Sequence, residues 1–149
     1  MKLLALIPFL VAALLAPGEG PMKTEPVMAK PAGPKLTVVD SEFGQVVADR
    51  KGEALYLFDR ERKGRSECYG ACARAWPPVL AKGKPRAGAG ADPSLLGTTR
   101  RRNGKLQVTY DGQPLYYYVG DSPGTILCHD VDEFGGTWLV IQPNGDPAP

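Results

Sequence analysis

The chain has 149 residues, a formal net charge of +2, 23% charged and 43% hydrophobic residues, three cysteines and one histidine. That length suits one domain. So mild a charge excludes the strongly basic balance of a nucleic-acid binder, and a lone histidine excludes any metal site that needs two.

In chain order, Lys2 precedes an apolar run over residues 3–16 that only Pro8 interrupts. The run is too brief to span a bilayer with ease and has the form of a secretory signal. Ala16 and Gly18 supply the small residues of a cleavage site, so residues 1–18 are expected to be a signal peptide. Its removal takes away only Lys2 and lowers the net charge to +1. No cysteine stands near the end of the apolar run, so the mature protein is expected to lack lipid attachment and stable membrane insertion. Residues 19–35, with Pro21, Pro26, Pro31 and Pro34 among Lys, Gly and Ala, predict a Pro-rich linker.

From Leu36 the chain aligns with itself at a constant offset of 60. Leu36 meets Leu96, Gly44 meets Gly104, Gly52 meets Gly112, Leu55 and Tyr56 meet Leu115 and Tyr116, Gly64 meets Gly124, and Cys68 meets Cys128. Trp76 and Trp138 are 62 apart. These residue types set turns and cores, so the spacing predicts two tandem repeats, 36–80 and 96–142, within one β-rich domain. In the first, residues 36–39 and 45–48 are strands around a turn at 42–44, rich in β-branched residues. A hairpin follows, through Arg50-Lys51-Gly52 in one copy and Asp111-Gly112 in the other, the latter a strong two-residue turn signal. The returning strands are 54–58 and 115–119, whose alternation puts Leu55 and Leu57 on one face and Tyr56 and Phe58 on the other, the aromatic face being the core. Residues 82–91, of Gly, Pro, Ala and Lys, predict a mobile surface loop between the repeats. A last strand covers 137–141, and 143–149 is a C-terminal tail. The expected fold is all-β, a small barrel or sandwich of two repeats with pseudo-twofold symmetry, with a short helical turn near the Cys-x-Gly-x-Cys segment.

Three cysteines in an exported chain leave one over, as a free thiol, an intermolecular bridge or a metal ligand. Cys68 and Cys72 flank Gly70, whose backbone freedom permits a small disulfide ring, so they are expected to pair and leave Cys128 a thiol; a bridge from either to Cys128 is the competitor. Three intervening residues are one more than a redox dithiol ordinarily has. Cys128 adjoins His129, and with Cys68 and Cys72 they make four candidate ligands for copper or zinc. Adjacent residues of a strand point to opposite faces, which counts against that site. The aromatic residues fit a core better than a stacking platform, with Tyr117 directed away from Tyr116 and Tyr118. Arg100-Arg101-Arg102 is read as a solvated face. No nucleophile elbow, phosphate-cradling loop or paired histidines are present, so no catalytic residue and no enzyme activity are expected.

Tyr56-Leu-Phe58-Asp-Arg-Glu61 and Tyr116-Tyr-Tyr118-Val-Gly-Asp121, the segment from Cys68 through Trp76 to Pro77-Pro78, and Phe134-Gly-Gly-Thr-Trp138 together resemble a bacterial family of secreted repeats of unknown function, described as predicted lipoproteins with a Tyr-x-(Phe/Trp/Tyr)-x-x-Asp motif. Glu61 replaces the Asp of that motif, and Cys128-His129 stands outside it. The resemblance implies an envelope location and no particular activity. The expectation is therefore an exported protein of the periplasm or extracellular space, surface association included, acting as a non-enzymatic binding or structural module without a cofactor. Its partner would be an envelope protein or a small ligand, not nucleic acid. The alternative is a metal-binding or electron-transfer accessory protein using Cys128 and His129 with Cys68 and Cys72.

Overall fold

A computed structural model describes Gly18, Gly20 and residues 29–149. Apart from Gly18, the signal peptide expected at 1–18 lies outside the described residues, as does about half of the linker at 19–35. No helix among the described residues is long and apolar enough to cross a membrane.

Strands β1 (Lys35–Ser41) and β2 (Gly44–Asp49) form an antiparallel hairpin, favoured by Thr37, Val38, Val39, Val46 and Val47. Strand β3 (Tyr56–Phe58) follows, then the five-residue helix α1 (Ala71–Ala75) and the short strand β4 (Arg86–Ala87). A 3-10 turn at Pro93–Leu95, capped by the Asp92 carboxylate, leads into the second repeat. There β5 (Leu96–Arg100), β6 (Leu106–Tyr110) and β7 (Gln113–Pro114) make an antiparallel sheet, and β8 (Val131–Glu133) and β9 (Gly136–Val140) close the chain. The strand orders are β2-β1-β4, β3-β9-β8 and β5-β6-β7. The fold is thus all-β with two tandem repeats and one short helix, at the expected segment.

The repeats exchange their pairing partners. Tyr56 and Tyr116 bond each other through their main chains in both directions, at 2.9 and 3.0 Å. Strand β3 of the first repeat pairs with β9 of the second, Tyr56 opposite Val140 and Phe58 opposite Trp138. The converse holds as well: Val79 N–H donates to Leu115 O, Tyr117 N–H to Pro77 O and Val119 N–H to Ala75 O, at 2.8–3.0 Å. Each tyrosine segment is completed by the closing segment of the other copy, so the main-chain pairing of each repeat is finished only by the other.

The constant offset of 60 does not hold throughout. Leu36 pairs with Asp49, whereas Leu96 pairs with Tyr110, so the second strands correspond at 61. One extra residue in the tip between β5 and β6 is offset by one fewer in the Asp111-Gly112 turn. That turn is the two-residue type foreseen, with φ positive at both positions (48° and 77°).

Both faces of the central segments are core, which corrects the assignment of a single aromatic face. Tyr56, Phe58, Trp76, Tyr116, Trp138 and Val140 pack on one side; Leu55, Leu57, Val79, Leu115, Val108 and Ile141 pack on the other. A central segment covered on both faces needs apolar residues at consecutive positions, as residues 54–58 have. Residues 82–91 are likewise not a free loop. Lys35 and Leu36 pair with Arg86 and Ala87 in parallel, and Val38 N–H donates to Ala89 O at 3.0 Å. The composition that suggested mobility reflects close approach: a Cβ on Gly90, at φ 79°, would meet Val38 Cβ at 2.8 Å. Residues 143–149 fold back on β9, with Ala148 N–H donating to Val140 O at 2.8 Å and Ala148 buried.

Candidate functional site

The two tyrosine motifs meet in the centre of the protein and exchange their polar contacts too. Tyr56 Oη donates to Asp121 Oδ2 at 2.6 Å, and Tyr116 Oη donates to Glu61 Oε1. Each acid also holds its own loop through the main chain six residues on: Glu61 Oε1 accepts from Glu67 N at 2.7 Å, and Asp121 Oδ1 from Leu127 N at 3.0 Å. Cys68 N donates to Glu61 as well.

Of the aromatic positions, Phe58 and Tyr118 follow the same exchange, whereas Tyr56 and Tyr116 keep to the indole of their own copy. Phe58 stacks on Trp138 at 4.1 Å, Trp138 on Trp76 at 4.0 Å, and Tyr118 leans on Trp76 at 4.8 Å. Tyr56 and Tyr116 stand edge-on to Trp76 and Trp138 respectively. Glu133 fastens both indoles, its carboxylate taking Trp76 Nε1–H at 2.8 Å and its carbonyl Trp138 Nε1–H at 3.1 Å. Tyr56, Phe58, Glu61, Tyr116, Tyr118, Asp121, Trp76 and Trp138 thus form one interlock between the repeats. Tyr117, set apart by alternation, packs against the aliphatic core instead.

Burial dominates the ionisation of this interlock. It pushes Tyr56 and Tyr116 well above the ordinary phenol range, assisted by the hydrogen bond to Asp121 and the charge of Glu61 respectively. Burial also raises Glu61, outweighing the N–H of Glu67, the hydroxyl of Tyr116 and the charge of Arg101, all of which lower it; Asp121 is raised in the same way. A carboxyl raised in the folded state binds its proton more tightly there than in the unfolded chain. Its stabilising contribution is complete below the unfolded carboxylate range, near pH 4, and fades as pH rises through the folded value. Glu61→Gln should therefore gain on the wild type in urea midpoint between about pH 4 and pH 8 at fixed salt. A gap that stays constant or moves the other way would refute the assignment.

Cys68 and Cys72 form a disulfide with Cα atoms 5.3 Å apart, and Gly70, at φ 57°, makes the turn between them. Cys128 is a free, partly buried thiol against the aromatic core, and its proximity raises the Tyr118 phenol. His129 packs on Phe43 with ring centroids 4.4 Å apart. Its Nδ1 accepts from Val140 N–H at 3.1 Å, which leaves Nε2 as the protonated nitrogen, facing Pro149 O at 3.1 Å. Of the four candidate ligands, then, two are joined to each other and the imidazole has both nitrogens engaged. Among the described residues no group of three or more His, Cys, Asp and Glu is gathered as a metal ion requires.

Where the sequence predicts a solvated face for Arg100-Arg101-Arg102, Arg101 is only 5% exposed. Its guanidinium donates to Gln107 Oε1 and Cys68 O, each at 2.7 Å, and Gln107, fully buried, also accepts from Ser66 Oγ and donates to Leu115 O. Arg101 and Arg102 both stand 4.3 Å from the centre of the Tyr69 ring. Together with Arg65 and Arg100 they line a cleft of about 310 Å³. A wider cavity of about 730 Å³, at the other end of β5, is bordered by Lys30, Lys82, Lys84 and Arg86. One signal for the cleft was present in the repeat itself: Arg100-Arg101-Arg102 stand opposite Asp40-Ser41-Glu42, so the charge of equivalent hairpin tips inverts between copies.

Residues 37–80 and 97–142 each match the model of a protein family described as a secreted repeat of unknown function. No curated protein and no solved structure matches the chain.

Proposed function

Since the chain belongs to this family of secreted repeats, we propose that it is an exported, non-enzymatic binding module, a single rigid body made of two interlocked copies. The observation that carries this reading is the reciprocal exchange of Tyr56 with Asp121 and Tyr116 with Glu61. Glu61, Tyr56 and Tyr116 are buried, Asp121 is partly buried, and the four are bonded in pairs across the joint between repeats. The same chemistry that would serve catalysis is here occupied in holding the fold, which leaves recognition to the surface. In this reading the signal peptide is removed, the protein resides in the periplasm or outside the cell, no cofactor is bound, and the partner is a small ligand or an envelope protein.

Metal content separates this from a metal-carrying or electron-transfer role. Protein exported by its own signal and analysed for copper, zinc, iron and haem is expected to contain none at stoichiometric level. A full equivalent of metal, lost in Cys128→Ser or His129→Ala, would overturn the proposal in favour of a site built on those two residues.

A further inference from the structure

We infer that the cleft between the motif loop of the first repeat and the hairpin tip of the second is a binding site for a phosphate-class oxyanion, formed by Arg65, Arg100, Arg102 and Tyr69 over the buried Arg101. This deepens the binding-module reading and rests on it.

Three observations converge on an anion. First, the cleft concentrates four guanidiniums, and among the described residues none has a carboxylate within 4 Å; the two ion pairs present are Arg60 with Glu67 and Lys63 with Asp111. Carboxylates nearby are already engaged: Glu67 with Arg60, and Glu61 with Tyr116 and the main chain of its own loop. Second, the innermost arginine is buried with only neutral hydrogen-bond acceptors, Gln107 Oε1 and Cys68 O. Two carbonyl dipoles orient a guanidinium without cancelling its charge. Third, the cleft is pre-organised. Tyr69 is held by Arg102 N–H donating to its hydroxyl oxygen at 3.2 Å and by the two guanidiniums at its ring, so its own O–H remains able to donate outward. Thr99 Oγ1 ties the adjoining loop to β5 through Gly64 O.

Planar guanidiniums match the oxygens of phosphate in paired hydrogen bonds, and several of them around a small concavity suit a dianion better than a single carboxylate. The cleft belongs to one repeat interface and not the other. At the equivalent tip stand Asp40, Ser41 and Glu42, and in place of Tyr69 is His129, which packs on Phe43 of that tip. The duplication therefore supplies one site per chain, with the inverted charge of the other tip repelling the same ligand.

The test is calorimetric titration of the mature full chain with sodium pyrophosphate and with inorganic phosphate at constant ionic strength, together with co-sedimentation on phosphatidylcholine vesicles with and without phosphatidylglycerol. One equivalent of pyrophosphate or phosphate bound identifies a free phosphate species, and binding confined to the phosphatidylglycerol vesicles identifies a headgroup; either supports the site. In both cases Arg65→Gln with Arg102→Gln should weaken binding at least about tenfold, with the near-ultraviolet circular dichroism unchanged, while Lys82→Gln with Lys84→Gln leaves it within about twofold. Absence of binding to every probe overturns the inference. So does binding that survives the arginine substitutions, or that falls equally with the lysine substitutions, since it would then be diffuse charge attraction. The metal analysis above tests the underlying reading separately.

Discussion

Trp138→Ala is expected to remove about 3–5 kcal/mol of stability, a large share of the total for a domain of this size. The indole is fully buried, stacked between Phe58 and Trp76, with Tyr116 edge-on to it. Truncation takes away its dispersion contacts and leaves a cavity that two other flat rings cannot close without losing their own stacking. It also leaves the Glu133 carbonyl without its indole partner. Because the stack joins side chains of both repeats, the loss should appear as one cooperative transition at lower urea and not as separate melting of one copy. Val119→Ala, at a position 65% exposed, is the matched control and should change stability by less than about 0.5 kcal/mol. A Trp138→Ala loss below about 1 kcal/mol, or a two-step transition, would contradict the interlocked core.

Glu61→Ala is the second large effect, expected to cost about 3 kcal/mol or more. One carboxylate oxygen accepts from Glu67 N, Cys68 N and Tyr116 Oη, so its removal leaves three donors without their partner at a site only 5% exposed. Each orphaned buried donor costs about 1–3 kcal/mol, and the sum is less than additive because the loop can relax. Glu61→Gln keeps an accepting oxygen and should cost well under half as much. Asp121→Ala, in the equivalent but more exposed position, should also cost less. A double-mutant cycle of Glu61→Ala with Tyr116→Phe isolates the exchanged pair, and a coupling energy near zero would show that the hydrogen bond contributes nothing beyond packing.

The Cys68–Cys72 ring, the Asp111-Gly112 turn and the duplication are legible in the sequence and present in the fold. All of these are local: a turn type, a five-residue ring, or the recurrence of a residue type at a set distance. What neighbouring residues decide, a linear sequence displays.

The pairing partners were decided only by tertiary structure. Each tyrosine segment could meet the closing segment of its own copy or of the other, and no local feature of the sequence marks which. The exchange, and with it the placing of both Trp76 and Trp138 in one stack, follows from burying two faces at once, a long-range gain that no local window contains. The same reason hid the rest. Gly90 looks like loop until Val38 lies against it, Arg101 looks like surface until Gln107 and Cys68 enclose it, and the slip from 60 to 61 is invisible because a longer tip and a shorter turn cancel. Periodicity, turns and the disulfide ring were written in the sequence because short-range sterics set them; the interlock and the basic cleft arose where distant segments meet, because burial and charge act through space and not along the chain.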